Sequence, residues 1–246
     1  MSRFPQFFLD GMEEGGKVAL LRDGEHNHLK RVLRLRNGDD ILVSDGKGNL
    51  FRAVVREVGK DETKVGIVSS VAWIPESPLE ITLIQGLPKR RKMEWILQKA
   101  TELGVRRVVP VTTAFSVPRL TDGQWQRKKA RWEQILRESA KQSHRGRIPV
   151  LEDVVPLKEA MLQFKEEGNL FFTPNGHMDL KACLDSFPET NKITLVVGPE
   201  GGFDASETTL AADEGYRLCT LGPRVLRLET AVVKVLSVLQ YVLGDG

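Results

Sequence analysis

Two stretches of this 246-residue chain have residue types that could do chemistry: Gly198-Pro199-Glu200-Gly201-Gly202, and Leu221-Gly222-Pro223-Arg224-Val225-Leu226-Arg227-Leu228-Glu229. Glycines let a backbone turn sharply and approach a ligand with no Cβ in the way. Each stretch follows a run that reads as a strand, Ile193 to Val197 and Arg217 to Thr220. In parallel α/β sheets, ligands settle beyond the carboxyl ends of such strands. Paired, the two loops describe one pocket with apolar walls, backbone donors and a few charges, namely Glu200, Arg224, Arg227 and Glu229. A tight structural turn would also explain the first loop, and a surface salt-bridge cluster the second. Neither loop has the spacing of a dinucleotide fingerprint or the Gly-Lys-Ser/Thr of a phosphate loop. The chain also lacks a Gly-x-Ser-x-Gly elbow and a Cys-x-x-Cys pair. His26, His28, His144 and His177 are scattered, so no metal site is expected.

A second kind of chemistry is charge. The formal net charge is +3, but residues 74–150 carry 16 Lys/Arg against 7 Asp/Glu, whereas residues 151–246 carry 8 against 15. One basic face would attract a polyanion, although a solvated basic surface is the plainer alternative. Lys89-Arg90-Arg91-Lys92 stands where a helix begins, and four cations there oppose the helix dipole. Arg127, Lys128, Lys129, Arg131, Arg137, Lys141, Arg145 and Arg147 extend the positive charge. Near the start, His28, Lys30, Arg31, Arg34 and Arg36 form another basic group. Phosphate contacts from such residues position RNA without reading its bases.

The elements that must position these residues fall into two regions. Residues 1–73 read as β-rich, with a hairpin of Asp39–Ser44 and Leu50–Val58 around Asp45-Gly46-Lys47-Gly48-Asn49, and a strand from Thr63 to Val68. Several short strands suggest a small barrel. Trp73-Ile74-Pro75-Glu76-Ser77-Pro78 is the natural boundary, because two prolines interrupt helix and sheet alike. Residues 74–246 alternate strand and helix, which predicts an α/β domain. Strands are expected at Leu79–Ile84, Val108–Val111, Ile193–Val197 and Arg217–Thr220. Helices are expected around Met93–Leu103, Trp125–Ala140, Leu157–Phe164 and Thr230–Leu243, with Asp204 and Glu207 placed to cap another. The last helix is apolar on nearly every side and wants burial on both flanks, by its own sheet and by a second subunit. Neither a membrane span nor a secretory signal is expected from these residues. Its two cysteines, Cys183 and Cys219, are too few for a disulfide scaffold, and a reducing, cytoplasmic setting fits them.

With these residues in view, the chain resembles the small-subunit (16S) ribosomal RNA uracil-N3 methyltransferases, of the knotted SPOUT class of S-adenosylmethionine-dependent RNA methyltransferases. The matching stretches are His28-Leu29-Lys30-Arg31-Val32-Leu33-Arg34, Asp45-Gly46-Lys47-Gly48, the run from Lys92 to Val105, and Gln142-Ser143-His144-Arg145. They continue with Leu195 to Gly202 and Leu221 to Ala231, in family order over the whole chain. Two positions depart from the family pattern: Ala114-Phe115 stands where a Glu-Arg pair is usual, and Lys141 where an acidic or small residue is common.

The resemblance implies a PUA-like, RNA-binding β-barrel over residues 1–73. It implies a SPOUT α/β domain over 74–246, with a mostly parallel sheet, a deep trefoil knot and a homodimer interface. It implies S-adenosyl-L-methionine as cofactor, held by Thr173, Val197, Gly198, Pro199, Glu200, Gly201, Gly202, Leu221, Gly222 and Leu226. It implies small-subunit ribosomal RNA as substrate, free or within an assembled subunit, met by His28, Arg31, Arg34, Lys89, Arg90, Arg91 and Arg145. Membrane and metal play no part in that picture. The expected reaction is methyl transfer to N3 of one uridine. Arg224 and Arg227 are the candidates to favour the uracil anion, and Glu229 either holds a guanidinium or relays the N3 proton. The residues leave those two roles for Glu229 open.

Overall fold

The computed structural model describes residues 4–12, 16–72, 76–89, 91–116, 121–185 and 190–245. The expected boundary at Trp73/Ile74 and the candidate Arg90 lie outside them. The chain divides into two compact units, Met1–Glu76 with Ala140–Ile148, and Ser77–Ser139 with Pro149–Gly246.

The first unit holds β1 (Gln6–Phe8), β2 (Gly11–Met12), β3 (Val18–Arg22), α1 (Asp23–Asn27), β4 (Asp40–Ser44), β5 (Leu50–Val58) and β6 (Glu62–Ser70). The strands form one sheet in the order β1-β4-β5-β6-β3-β2. The expected hairpin is β4 and β5, antiparallel, with Ser44 opposite Leu50. Its turn needs positive φ at Gly46 (71°) and Gly48 (113°), which glycine adopts without steric cost. The Asp45 carboxylate accepts hydrogen bonds from the backbone N–H of Lys47 and Asn49 and from the Asn49 amide. Burial works against its charge, but these donors outweigh it and hold the carboxyl below the usual range. After α1 the chain makes a π-helical turn, His28–Leu33, ending at Arg34 with φ 54°. The core packs Phe7, Leu21, Leu29, Ile41, Val43 and Val65. The segment 140–148 joins this unit through an antiparallel bridge between Lys47 and Arg147 and a 2.7 Å bond from Ser44 Oγ to the Gly146 carbonyl.

The second unit runs β7 (Glu80–Gly86), α2 (Lys92–Glu102), β8 (Arg107–Thr112), α3 (Asp122–Gln142), β9 (Val150–Leu151), β10 (Val155–Pro156), α4 (Leu157–Gln163) and β11 (Gly168–Phe172). It continues with β12 (Met178–Asp179), α5 (Leu180–Asp185), β13 (Lys192–Val197), α6 (Ala205–Asp213), β14 (Arg217–Thr220) and α7 (Leu228–Leu243). The last turn of α3 belongs to the first unit. The sheet order is β10-β8-β7-β13-β11-β14-β12, with β9 on β8, and every pairing is parallel. Leu83, Ile84, Leu170, Phe171, Leu195 and Val196 are all fully buried. Both faces of the three central strands are therefore covered, which is why they read as continuous apolar runs rather than as alternation. Ile84, Phe171 and Val196 pack with Leu157, Ala160 and Met161 of α4 and with Ala211 of α6. Helices α2 and α7 pack on each other. Gly104, at φ 80°, ends α2, and the Gln240 amide donates to the Leu103 carbonyl there (2.9 Å).

One reading needs correction. Cys183 and Cys219, taken as isolated residues suited to a reducing setting, are joined in a disulfide. Strand β12 pairs with β14, placing Met178 beside Cys219, and α5 follows directly, so Cys183 lands against that strand.

Candidate cofactor and catalytic site

All strands of the second unit point the same way, so the loops after β7, β11, β13 and β14 leave one edge of the sheet. Phe172, the last residue of β11, pairs with Val197 of β13 on one side and Cys219 of β14 on the other. Thr173 therefore sits between the two glycine-containing loops. It is buried, and its N–H donates to the Cys219 carbonyl (3.0 Å).

The first loop leaves β13 at Val197, and Gly198 and Pro199 are buried behind it. The buried Gln85 amide donates to the carbonyls of Gly86, Val197 and Gly198, fixing the point of departure. A turn closes with Gly202 N–H on the Pro199 carbonyl (2.9 Å) and a φ of 71° at Gly202. Gly201 is tight for another reason: a Cβ there would lie 2.8 Å from that of Phe115. The loop ends in the expected cap on α6. Asp204 accepts from the Glu207 N–H (2.7 Å), and Glu207 accepts from the Asp204 N–H (3.0 Å). Glu207 also accepts from the Ala114 N–H (2.8 Å), so the cap anchors the Ala114-Phe115 loop as well. Phe115 is left half-exposed, lining a cleft of about 440 Å³ with Lys89, Ala114, Ser116 and Gly201.

The second loop turns at Gly222, with φ 99°, and a Cβ there would meet only the Lys234 ammonium, 4.0 Å away. Lys234 reaches back from α7 to the Leu221 carbonyl (2.7 Å). Leu226 is half-buried, and Arg227 is the extended residue that opens α7. Arg224 and Arg227 are exposed, and neither makes an ion pair among the described residues. Among the described residues no guanidinium lies on Glu229. Glu229 pairs with Lys92 instead, at 3.3 Å, and the same ammonium lies 3.2 Å from Glu200. Glu200 also accepts from the Lys89 N–H (3.1 Å). Burial works against the Glu200 charge, but its own N–H, that of Lys89 and the Lys92 ammonium hold the carboxyl below its usual range. Burial likewise opposes the Lys92 charge, and the two glutamates more than offset it, raising the ammonium. Glu229 Oε2 is buried, with the Lys92 ammonium as its ion-pair partner. Beside it opens a cleft of about 480 Å³ lined by Arg91, Lys92, Trp95, Arg227, Glu229 and Thr230.

The basic candidates divide. Arg31 and Arg34 are exposed in the first unit, as are Lys89 and Arg91 in the second. His28 is half-buried against the Phe7 ring. Arg145 is removed from the RNA-facing set: it is 3% exposed, and its guanidinium sits on the Glu76 carboxylate at 2.9 Å. Lys141, the departure next to Gln142, is buried with Glu25 at 3.1 Å, so it fills a structural role. The described residues contain no cluster of three potential metal ligands and no helix long and apolar enough to cross a membrane.

A parallel sheet with two glycine loops at one edge, beside a basic helix start, is the setting in which the chain falls into the RNA methyltransferase class. The family models agree: an RNA methyltransferase domain matches residues 75–240, and an RNA methyltransferase PUA domain matches 21–68. The chain belongs to this family, in the branch of ribosomal RNA small subunit methyltransferase E. The enzyme of that name from Bacillus subtilis is 31% identical over 236 residues, covering 94% of this chain and 92% of the relative. The crystal structure of its namesake from Neisseria gonorrhoeae, bound to S-adenosyl methionine, superposes with a TM-score of 0.89 at 32% identity, covering 99% of both chains. A Legionella pneumophila protein, solved with the same cofactor bound, gives 0.90 at 31% identity over 100% of each chain.

Proposed function

We propose that this chain transfers the methyl group of S-adenosylmethionine to N3 of one uridine in small-subunit ribosomal RNA. The observation that carries the reading is the convergence of Thr173, the 198–202 loop and the 221–226 loop at one sheet edge. The fit is one of shape and donors. Gly222 leaves open space where a side chain would stand, Gly202 likewise, and Val197, Pro199, Leu221 and Leu226 give apolar walls. These residues, with Gly198, Glu200 and Gly201, would hold the cofactor. When bound, S-adenosylmethionine supplies a sulfonium-activated methyl carbon and takes back the carbon–sulfur bond electrons as the methyl leaves.

The protein's part is to position and to stabilise charge. Uracil N3 gives up its proton, and the freed lone pair forms the new N–C bond. Glu229 is the candidate to take that proton; its Oε2 pairs with the Lys92 ammonium at 3.3 Å, which leaves Oε1 as the oxygen for the task. Arg227 and Arg224, exposed and without an ion pair among the described residues, would face the charge that develops on the uracil oxygens as the proton leaves. N3 lies on the pairing edge, so the base must be met unpaired or flipped. Arg31 and Arg34 of a PUA-like first domain (1–73), with Lys89 and Arg91 of the second (74–246), would contact phosphates. The same reading includes a trefoil-knotted SPOUT domain, a cytoplasmic setting, and a homodimer covering Tyr241 and Val242 of α7, which are 78% and 52% exposed.

Titration calorimetry tests the cofactor step. One S-adenosylmethionine site per chain is expected. Absence of binding by folded protein would remove the assignment of both loops.

A further inference from the structure

Lys92 belongs to a basic run that, read as sequence, is a magnet for polyanions. Its ammonium goes elsewhere. It lies 3.2 Å from Glu200 and 3.3 Å from Glu229, and its side chain is about one-third exposed. Glu200 stands in the loop after β13, and Glu229 in the first turn of α7, directly after the loop that leaves β14. One cation at the start of α2 thus joins the two loops that frame the proposed cofactor pocket. Lys89 strengthens the same junction, its backbone N–H donating to the second Glu200 oxygen.

We propose that Lys92 is a positioning residue for methyl transfer, a latch whose ammonium holds the Glu200 loop and the Glu229 turn at the spacing the reaction needs. The inference rests on the reading that these loops bind S-adenosylmethionine. Two carboxylates separated by no more than two ion-pair lengths repel each other once the cation between them is gone. Neither loop is otherwise tied to the other by charge among the described residues. Without Lys92, Glu229 loses its ion-pair partner and α7 is pushed away from the first loop. A displacement of about an ångström at a reacting group costs up to about 100-fold in rate. Arginine keeps the charge and can reach both carboxylates, so it should retain much of the function. Removing one negative charge as well as the lysine relieves the repulsion.

The test uses full-length protein with S-adenosylmethionine and small-subunit ribosomal RNA, comparing native, Lys92→Met, Lys92→Arg and Lys92→Met/Glu200→Gln. Circular dichroism checks the folding of each. Lys92→Met is expected to lower kcat about 10- to 100-fold and to weaken cofactor binding, with the RNA KM within about twofold of native. Lys92→Arg should stay within about threefold of native, and the double variant should regain part of the loss. A folded Lys92→Met enzyme with native kcat and cofactor affinity overturns the latch. So does a Lys92→Met defect confined to the RNA KM, which would return Lys92 to the phosphate-binding set. If Lys92→Met fails to fold, Lys92→Arg decides: a loss as large as that expected for methionine overturns the proposal. Native protein that binds no cofactor would defeat the underlying reading instead, and calorimetry on that protein alone shows which has failed.

Discussion

Replacing Arg227 with alanine should separate chemistry from stability. The side chain is exposed, lines the cleft beside Glu229, and has no hydrogen bond or ion pair among the described residues. Its backbone opens α7 without a side-chain cap. The helix therefore loses nothing when the guanidinium goes, and the cost in stability should be within about 0.5 kcal/mol. That is a change in melting temperature of about 2 °C or less for a chain of this size. The reaction is a different matter. One preorganised donor facing a developing anion is worth about 2.7–4 kcal/mol, so single-turnover methyl transfer should slow by about 100- to 1000-fold with both substrates saturating. Lysine should rescue only part of the loss, because it keeps the charge but not the planar fork. A structural role predicts the reverse pattern, a lower melting temperature with rate loss in proportion. Folded Arg227→Ala protein that transfers methyl at the native rate would remove Arg227 from the mechanism and leave Arg224 as the candidate.

Other expectations follow from burial and charge. Reversing Arg31 and Arg34 to glutamate should weaken RNA binding and flatten its salt dependence while leaving cofactor affinity unchanged, since each lost phosphate contact releases one counterion fewer. Unchanged affinity in filter binding at several salt concentrations would clear that surface. Arg145→Met should behave differently, because it breaks a largely buried pair in which Glu76 is 18% exposed. It should destabilise by about 3 kcal/mol, read by calorimetric melting, and leave the salt slope alone. The Cys183–Cys219 bond closes a separation of 36 residues, worth about 3–4 kcal/mol in loop entropy, so reductant should lower the melting temperature. Thiol titration of unreduced protein in denaturant should find no free cysteine; two free thiols per chain would contradict the bond.

The sequence was informative where periodicity runs long or turn chemistry is local. The hairpin around Asp45, the helix expected around Met93–Leu103 and found at Lys92–Glu102, and the Asp204/Glu207 cap all stand at their expected positions. Strand β11 went unread, because five buried residues, Gly168 to Phe172, carry no period that tells strand from helix. Yet β11 is what places Thr173 between the two loops. Contacts between residues far apart in the chain were equally hidden. Nothing local to Lys92 distinguishes it from Lys89 or Arg91, and its two carboxylate partners lie more than a hundred residues away. Arg145 was misread for the same reason: a basic residue in a basic stretch looks exposed until its partner Glu76 is placed beside it. The disulfide, likewise, depends on the pairing of β12 with β14, which no spacing of two cysteines reveals.

The central claim is methyl transfer to N3 of a uridine in small-subunit ribosomal RNA. It is tested most directly by incubating purified protein with S-adenosylmethionine carrying a deuterated methyl group and with that RNA, both free and in assembled subunits. Nuclease digestion and mass mapping then locate the label. The account predicts one uridine whose base gains the labelled methyl, with primer extension arrested there because N3 lies on the pairing edge. Label on a ribose hydroxyl, on another base, or nowhere in either RNA form would contradict it.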